Sequence, residues 1–542
     1  MKKLINNFNS KVIYEIYVKS FNDSNNDGIG DLQGIINKLD YIKELGVDYI
    51  WLTPIYESPL KDNGYDISNY YKINNLFGTM EDFDNLILET KKRNIHVMLD
   101  MVLNHVSIES SYYQDLLKGK KDNEKLFYLI DGNEKELPNN WKSKFGGSAW
   151  KYDNKLKKWY LHLFDESMID TNWNSKIWKD EAYKIINFWL DKGIGGIRFD
   201  VMNLYSKNKK FPNDEIGDGR RFYTDHEGIH EIIKDIRKNT FSKYKDVFTI
   251  AELSSTNTEN ILGYTKPENQ EVGAAFSFMH LKVDYVNKEK WTPNKFKFED
   301  LFNSIKEIQL DVSNKGGVNA NFLNNHDQPR ANSRFLPNVD NYLRTTLLFN
   351  FYSNLKGVTT IFQGEEFGMT DLNFNKEKQF TDVESINAIN EFKEKGFSKK
   401  LAIEKVKYKS RDNARSPMWW DSTKNAGFSN TNSDQYLPRK IYKKINLEKD
   451  KKKINSIFND YKKIIKIKKN SDDLNNSDIS FTHIDNDLCV YKRNNYYIIN
   501  NFSNKTFNIR DYIMFENYNV HYSNREISNK ILPYQTITIE KK

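Results

Sequence analysis

Strand-like and helix-like segments alternate along most of this 542-residue chain. Short apolar runs typical of buried β-strands lie at 12–18, 47–52, 95–103, 195–201, 247–253, 274–278, 318–324 and 358–363. Segments with apolar residues at helical spacing separate several of these runs, for example Ile229, Ile232, Ile233 and Ile236 before the fifth. Eight strands with helices between them predict an α/β fold, a closed (β/α)8 or TIM barrel.

Two parts of the chain interrupt this alternation. The segment from Asn104 to Trp173 lacks helical periodicity and is rich in Tyr, Trp, Asn and Gly, which predicts a small domain inserted after the third strand. Beyond a lysine-rich helix near 450–469, short alternating runs such as DLCVYKR and YYIINNF predict an all-β module. The predicted domains are a barrel at 1–103 and 174–468, an inserted domain at 104–173, and a C-terminal β-sandwich at 469–542.

Composition narrows the class of protein. The single cysteine, Cys489, excludes an internal disulfide framework and is typical of a reducing compartment. No stretch resembles a signal peptide or approaches the roughly 20 apolar residues of a membrane helix. The net charge is +8, but basic residues are scattered among 74 acidic ones, unlike a nucleic-acid-binding stripe. We predict a cytoplasmic protein without membrane or nucleic-acid partners; no protein partner or oligomeric state can be inferred.

Three carboxylates follow apolar runs in the frames GIRFDV, FTIAEL and NFLNNHDQPR; they are Asp200, Glu252 and Asp327. Barrel enzymes collect catalytic groups at the C-terminal ends of different strands, so we expect the three to converge. Two carboxyl groups facing a glycosidic bond are the minimum for its hydrolysis. The pattern predicts sugar cleavage without a catalytic cofactor.

Four frames resemble the signature regions of the α-amylase superfamily (glycoside hydrolase family 13), namely DMVLNH, GIRFDV, AE and NNHDQPR. Segments such as SPLKDNGYDISNY, FQGEEFGMTD and SRDNARSPMWWD are similar to its oligo-1,6-glucosidase subfamily, and the likeness runs from about residue 11 to 445. The resemblance implies a retaining mechanism with Asp200 as nucleophile, Glu252 as general acid and base, and Asp327 as stabiliser of the transition state. Retention would place the carboxyl groups of Asp200 and Glu252 roughly 5 to 5.5 Å apart, with the pKa of Glu252 raised and Asp200 ionised.

The resemblance also implies a set of sugar-binding residues, which are Asp62, Tyr65, His105, Phe164, Arg198, His326 and Arg411. The two histidines would hydrogen-bond the glucose ring. Asp62, Tyr65 and Arg411 would fix its far edge and stack on its face. Because Arg198 lies two residues before Asp200 on the same strand face, it could also hold that carboxylate ionised.

Two stretches, 204–225 and 278–291, resemble subfamily members that cleave a phosphorylated disaccharide, α,α-trehalose 6-phosphate. A phosphate carries a charge of about −1.5 to −2 near neutral pH, so its pocket needs clustered cationic donors. The candidate phosphate ligands are His280, Lys282, Lys290, Arg220 and Arg221. For Arg221 and Lys290, a solvated surface charge is the competing interpretation. Val201, next to Asp200, resembles members that act on 1,6-linked or trehalose-type substrates.

Other activities share the same catalytic set and stay open at this stage. They are hydrolysis of isomaltose-type oligosaccharides and a sucrose isomerase-type glucosyl transfer. Non-catalytic, transporter-associated relatives usually lack a catalytic carboxylate and carry a membrane helix, and the sequence has neither sign. The departures from the subfamily pattern at Met168, Ala251 and Trp419 leave the three carboxylates intact, so we expect activity to survive.

The loop from residue 23 to 31 places oxygen donors at alternate positions, which are Asp23, Asn25, Asp27, Ile29 and Asp31. One interpretation is an Asx-rich turn in which Asp31 is the N-cap of a helix that begins near Leu32. The family resemblance implies a structural Ca²⁺ or Mg²⁺ here, away from the active site. We therefore predict a structural metal in this loop.

Overall fold

A computed structural model describes residues 8–286, 289–291, 295–372, 374–431 and 441–542. Its largest sheet has eight parallel strands: β1 (Val12–Ile16), β2 (Tyr49–Leu52), β3 (His96–Met101), β4 (Gly196–Phe199), β5 (Phe248–Leu253), β6 (Ala274–Ser277), β7 (Ala320–Asn321) and β8 (Val358–Phe362). Their order is β6-β5-β4-β3-β2-β1-β8-β7, and a parallel bridge between Ala275 and Asn319 joins the two edges. The predicted TIM barrel is confirmed.

The strands are buried on both faces, as expected of a parallel sheet that is covered by helices. All five residues of β1 and all six of β5 are buried. The prediction for the seventh strand was too long, because only Ala320 and Asn321 form β7. The two residues before β7 each accept one backbone hydrogen bond from a neighbouring strand: Val318 O from Ala275 N (3.1 Å) and Asn319 O from Val358 N (3.0 Å).

Helices cover the barrel from outside, with bounds Leu32–Asn37, Leu39–Leu45, Met80–Lys92, Lys176–Asp191, Ile229–Asn239, Thr258–Thr265, Phe298–Ile308 and Asn341–Ser353. The helix predicted before β2 is in two pieces that meet at Lys38, and it ends at Gly46, whose φ of +91° suits glycine. Thr79 and Asp82 form a capping box that starts the helix before β3. None of the helices in the described ranges combines the length and apolar character needed to cross a membrane.

The segment between β3 and β4 forms small sheets beside the barrel. His105–Ser107 pairs with Met168–Asp170, and Lys158–Leu161 lies between Leu129–Asp131 and Trp150–Asp153. Its aromatic core packs against residues that follow β4, including Val201, Leu204 and Tyr223. This packing places the segment over the C-terminal end of the barrel.

The C-terminal part is all β, as predicted. Five antiparallel strands lie in the order Ile479–Ile484, Leu488–Arg493, Tyr496–Asn501, Thr536–Lys541 and Tyr518–Ser523. A two-stranded sheet of Phe507–Asn508 and Lys530–Ile531 packs over a core that includes Leu488, Ile499, Ile531 and Ile537. The helix Ile457–Asn470 joins this part to the barrel, and the free Cys489 is buried.

Candidate active site

A cavity of about 800 Å³ opens at the C-terminal ends of the barrel strands. The three predicted catalytic carboxylates line it together with Asp62, Tyr65, His105, Phe164 and Arg411. These residues come from segments up to several hundred positions apart in the sequence. The predicted convergence of Asp200, Glu252 and Asp327 is therefore seen in one cleft.

Arg198 lies beneath the cleft and contacts three carboxylates from β3, β4 and β5. Its Nη1 is 2.6 Å from Asp100 Oδ1 and 2.6 Å from Asp200 Oδ1, and its Nη2 donates to Glu252 Oε2. The guanidinium is buried, so these charge-assisted bonds are shielded from water. One arginine thus orients both carboxylates required for glycoside cleavage.

The ionisation of these two carboxyl groups is set by burial and by Arg198. Burial raises the pKa of Glu252 to about 7, although Arg198 opposes the rise. Burial raises the pKa of Asp200 to about 6, with Arg198 again acting in the opposite direction. Because the pKa of Asp200 is the lower of the two, a pH window exists in which Asp200 is ionised and Glu252 is protonated.

The residue after Asp200 has an unusual backbone. Val201 has φ of +36° and ψ of 44°, a left-handed conformation that a β-branched residue rarely adopts. Its N–H lies 3.3 Å from Glu252 Oε2. The turn therefore directs the backbone that carries Asp200 toward the second carboxylate.

Asp327 is held ionised by three cationic neighbours. Arg415 Nη2 is 2.7 Å and Arg411 Nη1 is 3.3 Å from its Oδ1, and His326 Nε2 is 3.3 Å from its Oδ2. Burial alone would raise the pKa of Asp327, but these neighbours hold it well below its usual range. Burial lowers the pKa of His326, yet Asp327 and Glu15 raise it to about 9.

His326 does not line the cavity, in contrast to the prediction that it contacts the sugar. Its Nδ1 is 2.5 Å from Glu15 Oε1, and its Nε2 is 2.7 Å from the hydroxyl of Tyr65. The rings of Tyr65 and His326 are stacked at 5.4 Å. Since both ring nitrogens are engaged and the side chain is buried, His326 positions Asp327 and Tyr65.

The carboxylate of Asp62 and the ring of Phe164 also line the cavity. Arg411 Nη2 is 2.7 Å from Asp62 Oδ1 and 2.6 Å from Asp382 Oδ1, which fixes Asp62 at the cavity surface. The ring of Phe164 lies 5.1 Å from that of His105. Nε2 of His105 is buried and has no hydrogen-bond partner within the described ranges, so it can bond a ligand hydroxyl.

Several cationic side chains besides Arg411 line the cavity, and four of them are Lys144, Arg220, Lys282 and Lys290. We call these four the cationic group. Lys290 Nζ is 2.5 Å from Glu384 Oε2, and Arg220 Nε is 3.0 Å from Asp218 Oδ2. Among the residues that the structure describes, neither Lys144 nor Lys282 forms an ion pair. The group can therefore neutralise an added anion.

Two of the five predicted phosphate ligands do not join this group. His280 is buried, its Nε2 faces the carbonyl of Phe322 (2.8 Å), and burial lowers the pKa of His280 to about 4. Arg221 lies outside the cavity and pairs with Asp214 at 3.0 Å. The buried, neutral imidazole of His280 and the surface ion pair of Arg221 both fit a structural role.

The sequence analysis missed four residues of the site: Glu15, Asp100, Lys144 and Arg415. Asp100 stands in the DMVLNH frame and Arg415 in SRDNARSPMWWD, so the frames themselves offered a signal. Glu15 is a charged residue inside an apolar strand, which is a recognisable anomaly. Lys144 had no such signal, because it lies in an irregular, lysine-rich stretch.

The three subfamily departures lie outside the cavity wall. Met168, Ala251 and Trp419 are fully buried, and none of them lines the cavity. Their effect on the sugar is therefore indirect.

The 23–31 loop forms the predicted Asx-rich turn. Asp31 accepts from Gly34 N at 2.6 Å, which confirms it as the N-cap of Leu32–Asn37. Asp23 accepts from the backbone of Asn26 and Gly28. The atoms that the loop could offer to a metal are all oxygens, which suits a hard cation. No group of three or more acidic, His or Cys side chains within the described residues is arranged around a common metal position, so the metal stays a prediction.

Comparison with known proteins identifies the family. The model of the α-amylase catalytic domain matches residues 15–477. Trehalose-6-phosphate hydrolase of Bacillus subtilis (strain 168) is 44% identical over 462 residues, covering 84% of this chain and 82% of that protein. Oligo-1,6-glucosidase of Parageobacillus thermoglucosidasius is 38% identical over 534 residues, covering 95% and 94%.

A solved structure agrees with these relatives. A point mutant of Bacillus licheniformis trehalose-6-phosphate hydrolase superposes with a TM-score of 0.93 at 40% identity, covering 99% of this chain and 100% of that one. Together with a cleft that holds paired carboxylates, these matches show that the chain is a glycoside hydrolase and belongs to the α-amylase family.

Proposed function

We propose that the protein hydrolyses α,α-trehalose 6-phosphate to glucose and glucose 6-phosphate with retention of configuration. The observation that carries the proposal is the joint lining of one cavity by the three carboxylates and by the cationic group. A phosphate on the leaving sugar needs cationic partners in the same cavity, which a neutral disaccharide does not. The trehalose-6-phosphate hydrolases among the relatives support the same substrate.

The chemistry uses Asp200 and Glu252 in two steps. Asp200 attacks the anomeric carbon of the unphosphorylated glucose while Glu252 protonates the departing oxygen, which releases glucose 6-phosphate and leaves a glucosyl ester on Asp200. Glu252, now ionised, takes a proton from water, the water oxygen attacks the same carbon, and glucose leaves with Asp200 restored. Asp327 stabilises the positive charge that develops on the sugar ring.

The remaining cavity residues bind the two sugars. His105 Nε2 and Asp62 offer an imidazole and a carboxylate to ring hydroxyls, while Phe164 and Tyr65 supply flat apolar surface. Lys282 and Arg220 line the same cavity, and in this proposal they bind the phosphate of the leaving sugar. Lys290 forms an ion pair with Glu384, so part of its positive charge is already neutralised in the free protein.

A substrate panel tests the proposal. The purified protein is incubated separately with trehalose 6-phosphate, trehalose, isomaltose and sucrose, and kcat/KM is measured for each. We expect trehalose 6-phosphate to be cleaved fastest by a wide margin. If isomaltose is cleaved much faster, or if sucrose is mainly converted to an isomer, the phosphate assignment is wrong.

A variant ties the preference to the cationic group. Lys282→Ala should lower kcat/KM for trehalose 6-phosphate by about 10-fold or more, since charge-assisted bonds contribute about 1.5–3 kcal/mol. The same variant should change kcat/KM for an unphosphorylated glucoside little. Equal losses on both substrates would count against a phosphate at this position.

We further propose a cytoplasmic location and a structural Ca²⁺ or Mg²⁺ held by Asp23, Asn25, Asp27, Asp31 and the carbonyl of Ile29. The free, buried Cys489 supports a reducing compartment. The oxygen donors of the loop support a hard cation. No step of the reaction passes through this metal.

A further inference from the structure

Lys144 comes from the segment inserted between β3 and β4 and reaches across to the loop that follows β5. Its Nζ lies 3.1 Å from Ser254 Oγ, two residues beyond Glu252, and 5.6 Å from the centre of the Tyr223 ring. Its backbone N–H donates to the carbonyl of Leu163 at 2.8 Å. The ammonium group is thus fixed beside the proposed general acid, where a leaving sugar would lie.

The ammonium group of Lys144 lies near Asp218 and Glu252 but is not in direct contact with either carboxylate. Within the described residues it forms no ion pair, whereas Arg220 pairs with Asp218 and Lys290 with Glu384. Burial and the nearby charges of Arg220 and Lys282 lower the pKa of Lys144 to about 7, although Asp218 and Glu252 act in the opposite direction. An unpaired cation in such a place is unfavourable in the free protein, and an added anion would relieve it.

We propose that Lys144 is a specificity-determining residue that binds the phosphate of the substrate from the inserted segment, in the cavity that Lys282 also lines. This inference rests on the proposed function and adds a residue from a different part of the chain to the phosphate site. The pairing of Lys144 with Ser254 also links phosphate recognition to the loop that follows β5, two residues after Glu252.

The inference has a thermodynamic consequence. Near pH 7 a large share of the Lys144 side chains is neutral in the free protein, since the pKa is about 7. A bound phosphate dianion favours the charged ammonium and raises that pKa. Binding of a sugar phosphate should therefore be accompanied by uptake of part of a proton, which a purely structural lysine would not produce.

The kinetic test compares Lys144→Met with Lys144→Arg and with Lys142→Met, an exposed lysine on the same segment. Lys144→Met should lower kcat/KM for trehalose 6-phosphate by about 10- to 150-fold, the effect of losing one charge-assisted bond. An unphosphorylated glucoside should be affected far less. Lys144→Arg should recover much of the loss, and Lys142→Met should behave as the unchanged protein.

The binding test uses glucose 6-phosphate and isothermal titration in buffers of different ionisation enthalpy. The unchanged protein should take up more protons on binding than Lys144→Met, and it should bind more tightly. Equal binding and equal proton uptake in both proteins would overturn the inference even if trehalose 6-phosphate is the preferred substrate. If glucose 6-phosphate binding depends on Lys144 but isomaltose is the preferred substrate, the proposed function fails and the anion site remains.

Discussion

The bridge from Arg198 to Asp200 and Glu252 makes a quantitative prediction about the pH dependence of catalysis. Asp200 must be ionised and Glu252 protonated, with pKa values of about 6 and 7 in the free protein. The profile of kcat/KM against pH should be bell-shaped with a maximum at about 6.5. Activity falls at low pH as Asp200 is protonated and at high pH as Glu252 loses its proton.

Arg198→Lys keeps the positive charge but replaces the forked guanidinium with a single ammonium group. That group cannot reach all three carboxylates as the two Nη atoms do, so at least one charge-assisted bond is lost. Such a bond contributes about 1.5–3 kcal/mol, and 1.36 kcal/mol corresponds to one pKa unit. The pKa of Asp200 should therefore rise by about 1 to 2 units. The acid limb should move upward with it until the pKa of Asp200 reaches that of Glu252, about 7.

The assay measures kcat/KM for an aryl α-glucoside from pH 5 to 9. This substrate carries no phosphate, so only groups of the enzyme titrate in the profile. Arg415→Lys is the matched control, because Arg415 is also buried and contacts a catalytic carboxylate, Asp327. Asp327 is already ionised well below this pH range, so Arg415→Lys should lower the rate without moving the acid limb. An Arg198→Lys profile that is uniformly lower, with its acid limb in place, would refute the argument.

Three further predictions concern stereochemistry, stability and metal binding. Proton NMR should show α-glucose as the first unphosphorylated product; β-glucose would contradict retention. Glu365 is buried and accepts hydrogen bonds from Tyr352 and Tyr461, and burial raises its pKa to about 7. The stability that protonated Glu365 contributes is therefore complete below about pH 4.5 and is lost as pH rises through 7. Relative to Glu365→Gln, the unchanged protein should lose about 3 kcal/mol of stability from acid pH to pH 8, and parallel melting curves would exclude this. EDTA should lower the Tm, and added Ca²⁺ should restore it. Asp27→Asn should abolish this response, whereas the control Asp122→Asn, at an exposed position, should keep it. An unchanged Tm in EDTA would exclude the metal.

The sequence was sufficient for the barrel because its strands are continuous apolar runs, a pattern that few other folds produce. It also predicted the convergence of Asp200, Glu252 and Asp327, since each follows such a run. The prediction was wrong about β7, where only two residues pair. An apolar run reports burial, and burial continues into Phe322 and Leu323 after the strand ends.

The electrostatic arrangement could not be predicted in the same way. The roles of Glu15 and Arg415 depend on contacts across more than 80 residues of sequence, which spacing does not reveal. His280 was assigned to the phosphate by its place in a basic stretch, but its buried side chain does not line the cavity and bonds the carbonyl of Phe322. Direction and pairing decide whether a charge is available, and both are properties of the folded chain.

The short β7 has a consequence for how the enzyme fails under stress. Asp327 follows the least-paired strand, so its position depends on ion pairs with His326, Arg411 and Arg415 more than on a backbone ladder. The edge between β6 and β7 should open before the rest of the barrel, and amide protons there should exchange early. Heating should therefore abolish turnover at a temperature at which circular dichroism still reports an intact barrel.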